Sequence, residues 1–197
     1  MGILSMLSIK RQNIKSSFQQ NGENQTMSKQ NISDKIDYTN EIERIKNKVN
    51  NIDNLKDYAS FLLSSISKTI EASQCAFFIS TEKNDIQYIS FLCGFAYHLA
   101  ETEVKEYEFG EGLSGQVAKE RKRVNIKNVP DGYINIISGL GSASPRNLLI
   151  LPIIENDEVI AVVEIASFKE IKEEEEIFID LLFSTLSNKI KELKDKI

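Results

Sequence analysis

The chain has 197 residues, of which 41% are hydrophobic and 27% charged, as in an ordinary globular protein long enough for one domain with added helices. Its formal net charge of -5 argues against a nucleic-acid binder that relies on a broad basic face. No apolar run approaches the ~20 residues that span a bilayer, so we expect a cytoplasmic protein without a transmembrane segment.

The N-terminal region divides into two segments of different composition. Residues 1–35 are rich in Gln, Asn, Ser and Lys, which predicts a disordered tail. In residues 36–54 apolar side chains recur three and four positions apart, as in the heptad seam of a coiled coil, at Ile42, Ile45, Val49 and Ile52.

We predict that residues 36–54 form a coiled-coil-like linker helix, within one continuous helix from about Asn40 to Ala72. Outside the apolar seam the first half of this helix is polar, which favours pairing with a helix of a second copy. A helix that lies flat on its own sheet is the alternative.

Short apolar or alternating segments then predict strands that are separated by turn-forming residues. These strands cover residues 75–80, 86–92, 104–109, 123–128, 147–154 and 159–168. A short helix is predicted at residues 113–120 and a long loop at residues 131–146. A closing helix is predicted at residues 173–197, with an apolar stripe that includes Leu186, Ile190 and Leu193. Together with the apolar seam of residues 36–54, these three residues are the predicted dimer contacts.

The order of these elements predicts the fold class. Neighbouring strands follow one another as hairpins, and the long helices stand at the two ends of the chain. We therefore predict an α+β fold, in which long N- and C-terminal helices pack on one face of a central, mostly antiparallel sheet.

A glycine pattern, G-x-G-x-x-G, lies between a predicted strand and the short helix, at Gly110, Gly112 and Gly115. In dinucleotide-binding proteins such a turn follows a fully buried parallel strand and opens a series of βαβ units. Here the preceding strand, VKEYEF, is half charged, and no βα repeat follows. The glycines are therefore interpreted as a structural corner that only positions the helix and the loop.

Three successive segments carry a family resemblance: FGEGLSGQVAKERKRVNIKNV, DGYINIISGLGSASPRNLLILPI and DEVIAVVEIASF, followed by the closing helix. In this order they resemble a GAF domain, in particular the GAF domains that accompany bacterial histidine kinases. The resemblance covers residues 55–193, and residues 194–197 are the end of the last helix. It implies a sensory or regulatory module of bacterial signal transduction, which binds a small ligand or a partner protein and dimerises through its terminal helices.

The resemblance also implies a ligand pocket on the sheet face away from the long helices, covered by the loop over residues 131–146. The ligand-binding residues that it implies are Phe91, Phe95, Tyr133, Ser138, Leu140, Arg146, Ile150, Val162 and Glu164. Arg146 would meet an anionic ligand, or instead form a salt bridge to Glu164 or clamp the backbone, and these roles stay open.

No cofactor, metal site or catalytic residue follows from the resemblance. The cyclic-nucleotide signature of phosphodiesterase GAF domains is not present, and neither Cys75 nor Cys93 stands beside His98, as bilin attachment requires. The GAF enzymes that reduce free methionine sulfoxide carry cysteines in the glycine turn and the long loop, where this chain has GEGLSG and SGLGSASPR. We predict a non-enzymatic homodimer with a signalling partner such as a histidine kinase. A dimerisation scaffold without a ligand is the alternative, ahead of such a reductase.

Overall fold

The structure, a computed structural model, describes residues 37–97, 105–132, 134–138 and 141–197. The predicted tail over residues 1–35 lies outside these ranges, as do His98, Tyr133, Leu140 and the side chain of Ser138.

Helices stand at both ends of the described chain, and strands fill most of the middle. The helices are α1 (Tyr38–Val49), α2 (Leu55–Ile70), α3 (Gly112–Glu120) and α4 (Glu173–Lys194). The strands are β1 (Gln74–Lys83), β2 (Ile86–Phe95), β3 (Glu106–Glu108), β4 (Val124–Lys127), β5 (Ile136–Ser138), β6 (Gly141–Ala143), β7 (Asn147–Glu155) and β8 (Glu158–Ser167).

Six of these strands form one antiparallel sheet in the order β3-β2-β1-β8-β7-β4. The predicted α+β class with a central antiparallel sheet is therefore confirmed. Strands β5 and β6 pair separately as a two-stranded ribbon, so the segment predicted as a loop at residues 131–146 contains regular structure.

Alternation along the central strands divides the core into two parts. On β8, Val163 and Ile165 belong to a core shared with α1, α2 and α4, whereas Val162 and Ala166 belong to a second core under α3. Because successive side chains of a strand point to opposite faces, both faces of the central strands are buried. The long runs of apolar residues in β7 and β8 follow from this double burial.

The predicted continuous N-terminal helix is wrong, because the chain turns between α1 and α2. The side chain of Asn54 accepts a hydrogen bond of 3.0 Å from the backbone N–H of Asp57, which caps the start of α2. Thr69, near the end of α2, donates a hydrogen bond of 3.1 Å to Glu41, near the start of α1. The two helices therefore run antiparallel, as a helical hairpin.

The apolar seam of α1 packs inside its own chain. Ile45 has 0% and Val49 1% of its surface exposed, and Ile42 is also buried, in the core that contains Leu186, Ile190 and Leu193 of α4. Tyr38 stacks on Phe178 of α4 with ring centroids 4.9 Å apart. Side chains buried in this way do not form a seam with a second copy, so the predicted pairing of this stripe is replaced by packing within the chain.

Helix α4 confirms the predicted closing helix, with four glutamates in its first turn and Lys191 and Lys194 in its last turn. This distribution of charge opposes the helix dipole and stabilises both ends of the helix. Within the ranges given above, no helix has the length and apolar character that crossing a bilayer requires.

Candidate functional site

A cavity of about 480 Å³ lies on the sheet face opposite α2 and α4, under α3 and the ribbon of β5 and β6. Its size falls within the range of roughly 300–1,000 Å³ that is typical of small-molecule sites. Its polar lining residues are Gln74, Tyr97, Lys105, Tyr107, Glu111, Ser114, Asn135 and Glu164. Its apolar lining residues are Ala96, Leu113, Ile134, Ile137, Leu148 and Ile150, and Gly112 completes the wall.

Glu164 places a carboxylate on the floor of this cavity. It lies on β8 between the buried Val162 and Ala166, opposite Ala76 of β1 and Ile150 of β7. The alternation of the strand turns all three β8 side chains to the same face, which positions Glu164 in an apolar surrounding. Burial raises the pKa of the Glu164 carboxyl, and the hydrogen bond from Ser114 and the charge of Lys105 oppose this rise.

Ser114 reaches Glu164 from the first turn of α3, and its hydroxyl donates a hydrogen bond to the carboxylate Oε1. The glycine turn holds this first turn close to β3. A Cβ on Gly115 would lie 2.2 Å from the carbonyl oxygen of Glu108, so only glycine permits the observed approach. Gly110 adopts φ +103°, and its N–H donates a hydrogen bond of 2.7 Å to the carbonyl oxygen of Gly115.

The prediction that the glycine turn only positions other elements is therefore incomplete. Glu111, Gly112, Leu113 and Ser114 themselves line the cavity. The motif forms one wall of the cavity and supplies the hydrogen-bond donor to Glu164. The strand before it belongs to an antiparallel sheet, so it lacks the βαβ unit of a phosphate-binding glycine turn.

Two tyrosines and a lysine form the side of the cavity next to β3. The Lys105 ammonium donates a hydrogen bond to the Tyr97 hydroxyl and lies 4.9 Å from the centroid of that ring. Burial raises the pKa of the Tyr107 hydroxyl, with a further contribution from the negative charge of Glu164, whereas Lys105 lowers it. This side of the cavity therefore combines aromatic faces with one cation.

The ribbon of β5 and β6 covers the opposite side. Asn135 accepts a hydrogen bond of 3.2 Å from the Ser144 hydroxyl, which in turn accepts one of 3.2 Å from the Gly132 N–H. These bonds link the residues just before β5 to the residue just after β6, at the open end of the ribbon. Ile137 lines the cavity and yet has 73% of its surface exposed, so it stands at the mouth.

The structure brings only part of the predicted ligand set together. Ile150 and Glu164 line the cavity as predicted. Val162 is fully buried beneath it, and Phe91 packs against Tyr97 with ring centroids 5.3 Å apart, so both belong to the core behind the wall. The predicted cover over residues 131–146 contributes Ile134, Asn135 and Ile137.

Phe95 is a wrong prediction, since it packs on the helix face of the sheet. The pairing of β1 with β2 shifts by one residue between Phe77 and Phe78. Such a shift reverses the face to which the following side chains point, so Phe91 and Phe95 lie on opposite faces.

Arg146 is also displaced from its predicted place. Its side chain is exposed at the end of the sheet, beside Lys127 and Glu170 and away from Glu164. Its backbone N–H donates to the carbonyl of Ser167 at 2.9 Å, and its carbonyl accepts from Val129 at 3.2 Å. Both are main-chain bonds that do not involve the Arg146 side chain, which neither lines the cavity nor forms the predicted salt bridge to Glu164.

The sequence of the chain matches the sequence model of the GAF domain over residues 53–191. The chain belongs to the GAF domain family. Helix α1 lies outside the matched residues. No match to the chain is found among curated protein sequences.

Several solved structures are similar to this GAF domain. The GAF domain of a phosphoenolpyruvate-protein phosphotransferase from Acinetobacter has a TM-score of 0.65 and 18% identity, over 81% of this chain and 96% of that one. Free methionine-R-sulfoxide reductase from Neisseria meningitidis, in complex with its substrate, has a TM-score of 0.63 and 15% identity, over 81% and 92% of the two chains. A methyl-accepting chemotaxis protein has a TM-score of 0.58 and 13% identity, over 78% and 98%.

These likenesses confirm the predicted fold, and the match to the sequence model confirms the predicted family. The three proteins have different activities, and identities this low carry the fold alone. The finer prediction of a relationship to histidine-kinase GAF domains stays a prediction. The function of this chain must therefore be argued from its own cavity.

Proposed function

We propose that this GAF domain is a sensory module of bacterial signal transduction that binds a small molecule in the cavity between β8, β3 and α3. The observation that carries the proposal is the Glu164 carboxylate, held on the floor of a 480 Å³ cavity by a hydrogen bond from Ser114. A small number of polar groups that converge in a largely pre-formed cavity is typical of ligand sites. The chemotaxis protein among the similar structures supports a signalling role.

The central strand β8 connects the cavity to the long helices. Glu164 faces the cavity, while its neighbours Val163 and Ile165 pack in the core that holds α2 and α4. A ligand that displaces β8 therefore changes the packing surface of these helices. This route requires two discrete arrangements of the helices, which the ligand favours unequally.

We further propose that the module acts in the cytoplasm as a homodimer and transmits its signal to a partner such as a histidine kinase. The outer face of α4 supports a contact there, because Ile177 and Leu181, four residues apart, are exposed apolar side chains. The predicted dimer residues Leu186, Ile190 and Leu193 are buried and are not part of this outer face.

No catalytic role is proposed for the cysteines. Both Cys75 and Cys93 are buried in the core on the helix side of the sheet. Burial raises the pKa of Cys75 to about 12 and raises that of Cys93, which disfavours the reactive thiolate form. This chemistry supports a binding module over a thiol-dependent reductase.

A thermal-shift screen of a metabolite library tests ligand binding. A ligand present at 100 times its Kd stabilises the folded protein by about 2.7 kcal/mol. The variant Leu113→Trp places a larger side chain in the cavity wall and is expected to remove the shift, whereas Lys68→Gln, on the exposed side of α2, retains it. A ligand whose shift is the same in wild type and Leu113→Trp contradicts this location. A library without any ligand favours the alternative of a dimerisation scaffold.

A further inference from the structure

Among the described residues, the burial of the Glu164 carboxylate is compensated by one hydrogen bond, from Ser114, and by the charge of Lys105. A carboxylate can accept about four hydrogen bonds. Among the residues that the structure describes, Ser114 is the only hydrogen-bond donor to Glu164, and it reaches one oxygen, Oε1. The other oxygen is available to a group that enters the cavity. A buried carboxylate is stabilised most by a positive charge with N–H donors.

The surrounding polar atoms also favour a donor-bearing, positively charged guest. Of the lining side chains described, Glu111 and Glu164 carry carboxylates, against the ammonium of Lys105. The amide Nε2 of Gln74 is engaged with the carbonyl of Ala96 at 3.0 Å, which leaves the Gln74 amide oxygen as the acceptor for a ligand.

Aromatic rings add to this preference. Tyr97 and Tyr107 both line the cavity, and a cation over the face of such a ring is attracted by the negative charge of that face. Lys105 already uses the Tyr97 ring in this way, at 4.9 Å from its centroid. Tyr107 is half-buried and lines the same cavity as Glu164; burial raises the pKa of its hydroxyl, Lys105 lowers it, and the charge of Glu164 adds to the rise. The carboxylate and this ring therefore stand together as one subsite.

The remainder of the wall is apolar. Leu113, Leu148 and Ile150 line the cavity, Ile150 directly opposite Glu164 in the sheet, and Ile134 and Ile137 approach from the ribbon side. The exposed Ile137 at the mouth would lose contact with water when an apolar group fills the cavity. A ligand that fits both parts has one charged end and one hydrophobic body.

We propose that the ligand of this cavity is an amphipathic amine, with its protonated nitrogen on Glu164 beside Tyr107 and its apolar body under Leu113 and Ile137. This inference rests on the proposed function, since it names the chemical class of the molecule that the sensory site binds. Ser114 holds the carboxylate in place, and the nitrogen donates to the oxygen that Ser114 does not reach.

Three compounds of similar shape that differ in one end group test the proposal in the wild-type protein: 2-phenylethylamine, 2-phenylethanol and phenylacetate. Isothermal titration calorimetry is expected to show that the amine binds at least tenfold more tightly than the alcohol. Phenylacetate is expected to be the weakest, because its carboxylate is repelled by Glu164. Equal binding of the three, or preference for the acid, would overturn the amine assignment and leave small-molecule binding intact.

A pair of matched variants locates the effect. Glu164→Gln keeps the shape of the side chain and removes its charge, and it is expected to lose the preference for the amine. Glu192→Gln makes the same change on an exposed part of α4 and is expected to retain it. An unchanged preference in Glu164→Gln would overturn the proposal.

The wild-type comparison keeps the proposal testable if Glu164→Gln does not fold. If none of the three compounds binds, the amine proposal is wrong for molecules of this size. If a ligand of another class then emerges from the metabolite library, only the amine proposal fails. If the library also yields nothing, the proposed function fails as well.

Discussion

The hydroxyl of Ser114 donates a hydrogen bond to the carboxylate of Glu164, across 50 positions of the sequence. It joins the first turn of α3 to the central strand β8 of the sheet. Both residues line the same cavity, so the bond also sets the position of the carboxylate that a ligand meets.

Ser114→Ala removes the hydroxyl that donates a hydrogen bond to the Glu164 carboxylate. A hydrogen bond to a charged group contributes about 1.5–3 kcal/mol, and a loss of 1 kcal/mol lowers Tm by roughly 2–4 °C in a domain of this size. We therefore expect Tm to fall, as measured by calorimetry. The double variant with Glu164→Gln should show a smaller effect of the alanine, because the charge that Ser114 serves is gone. Fully additive effects would contradict a direct bond.

The pH dependence of stability should report Glu164. Its pKa is raised by burial in the folded state, so the charged form costs stability, and this cost disappears as pH falls through the folded pKa toward the ordinary carboxyl value of 4.5. Glu164→Gln should therefore melt higher than wild type at neutral pH, and the difference should shrink in acid. Thermal melts from pH 4 to pH 8 measure it, with Glu192→Gln as the exposed control. A difference that grows in acid would contradict the raised pKa.

Gly115→Ala tests the close approach of α3 to β3. The added Cβ would meet the Glu108 carbonyl oxygen at 2.2 Å, so backbone must shift, at a cost of about 1–3 kcal/mol. Urea unfolding measures this cost. Gly132→Ala is the control, because Gly132 has φ +79° but no atom within 4 Å of its Cβ position, and it isolates the strain of the backbone alone. If Gly115→Ala loses no more unfolding free energy than Gly132→Ala, the Glu108 carbonyl oxygen does not restrict a side chain at position 115.

Tyr58→Phe is expected to stabilise the protein. Tyr58 is 1% exposed, and its hydroxyl has no hydrogen-bond partner among the residues that the structure describes. Burial raises its pKa to about 12, as expected for an isolated phenol. Removal of an unsatisfied buried hydroxyl should raise stability by about 1 kcal/mol, which corresponds to roughly 2–4 °C in Tm. A clear decrease would show that the hydroxyl has a partner in solution.

Ile45→Ala distinguishes the two arrangements considered for α1. Ile45 is fully buried inside one chain, so its truncation should cost about 2–5 kcal/mol of unfolding free energy. The loss should be the same at every protein concentration in urea unfolding. Ile86→Ala makes the same change at an exposed position of β2; it is the control and should change stability by less than about 1 kcal/mol. A loss at Ile45 that depends on protein concentration would restore the predicted pairing between copies.

The fold was largely predictable from the sequence because its strands pair mostly with their neighbours. The hairpin of β7 and β8 needs only alternating or continuous apolar runs around a short turn. The break between α1 and α2 was not predictable, because the heptad spacing continues through Ile52. Only the Asn54 cap and the docking of Ile45 against α4 decide in favour of two helices.

The site was predictable only in part, for a similar reason. Ile150 and Glu164 follow from strand alternation together with the family resemblance. The opposite placement of Phe91 and Phe95 depends on a one-residue shift that no pattern in the sequence reveals. Ser114 carried a signal, since it lies in the glycine turn, but its partner is distant in sequence. Tyr97, Lys105 and Tyr107 converge through the sheet and gave no local signal.

Native mass spectrometry of the freshly purified chain tests most directly the claim that the cavity binds a small molecule. We expect the wild-type protein to carry the additional mass of one small molecule, which is lost in Leu113→Trp and retained in Lys68→Gln. A wild-type spectrum of the chain alone, unchanged after exposure to the metabolite library, would contradict it.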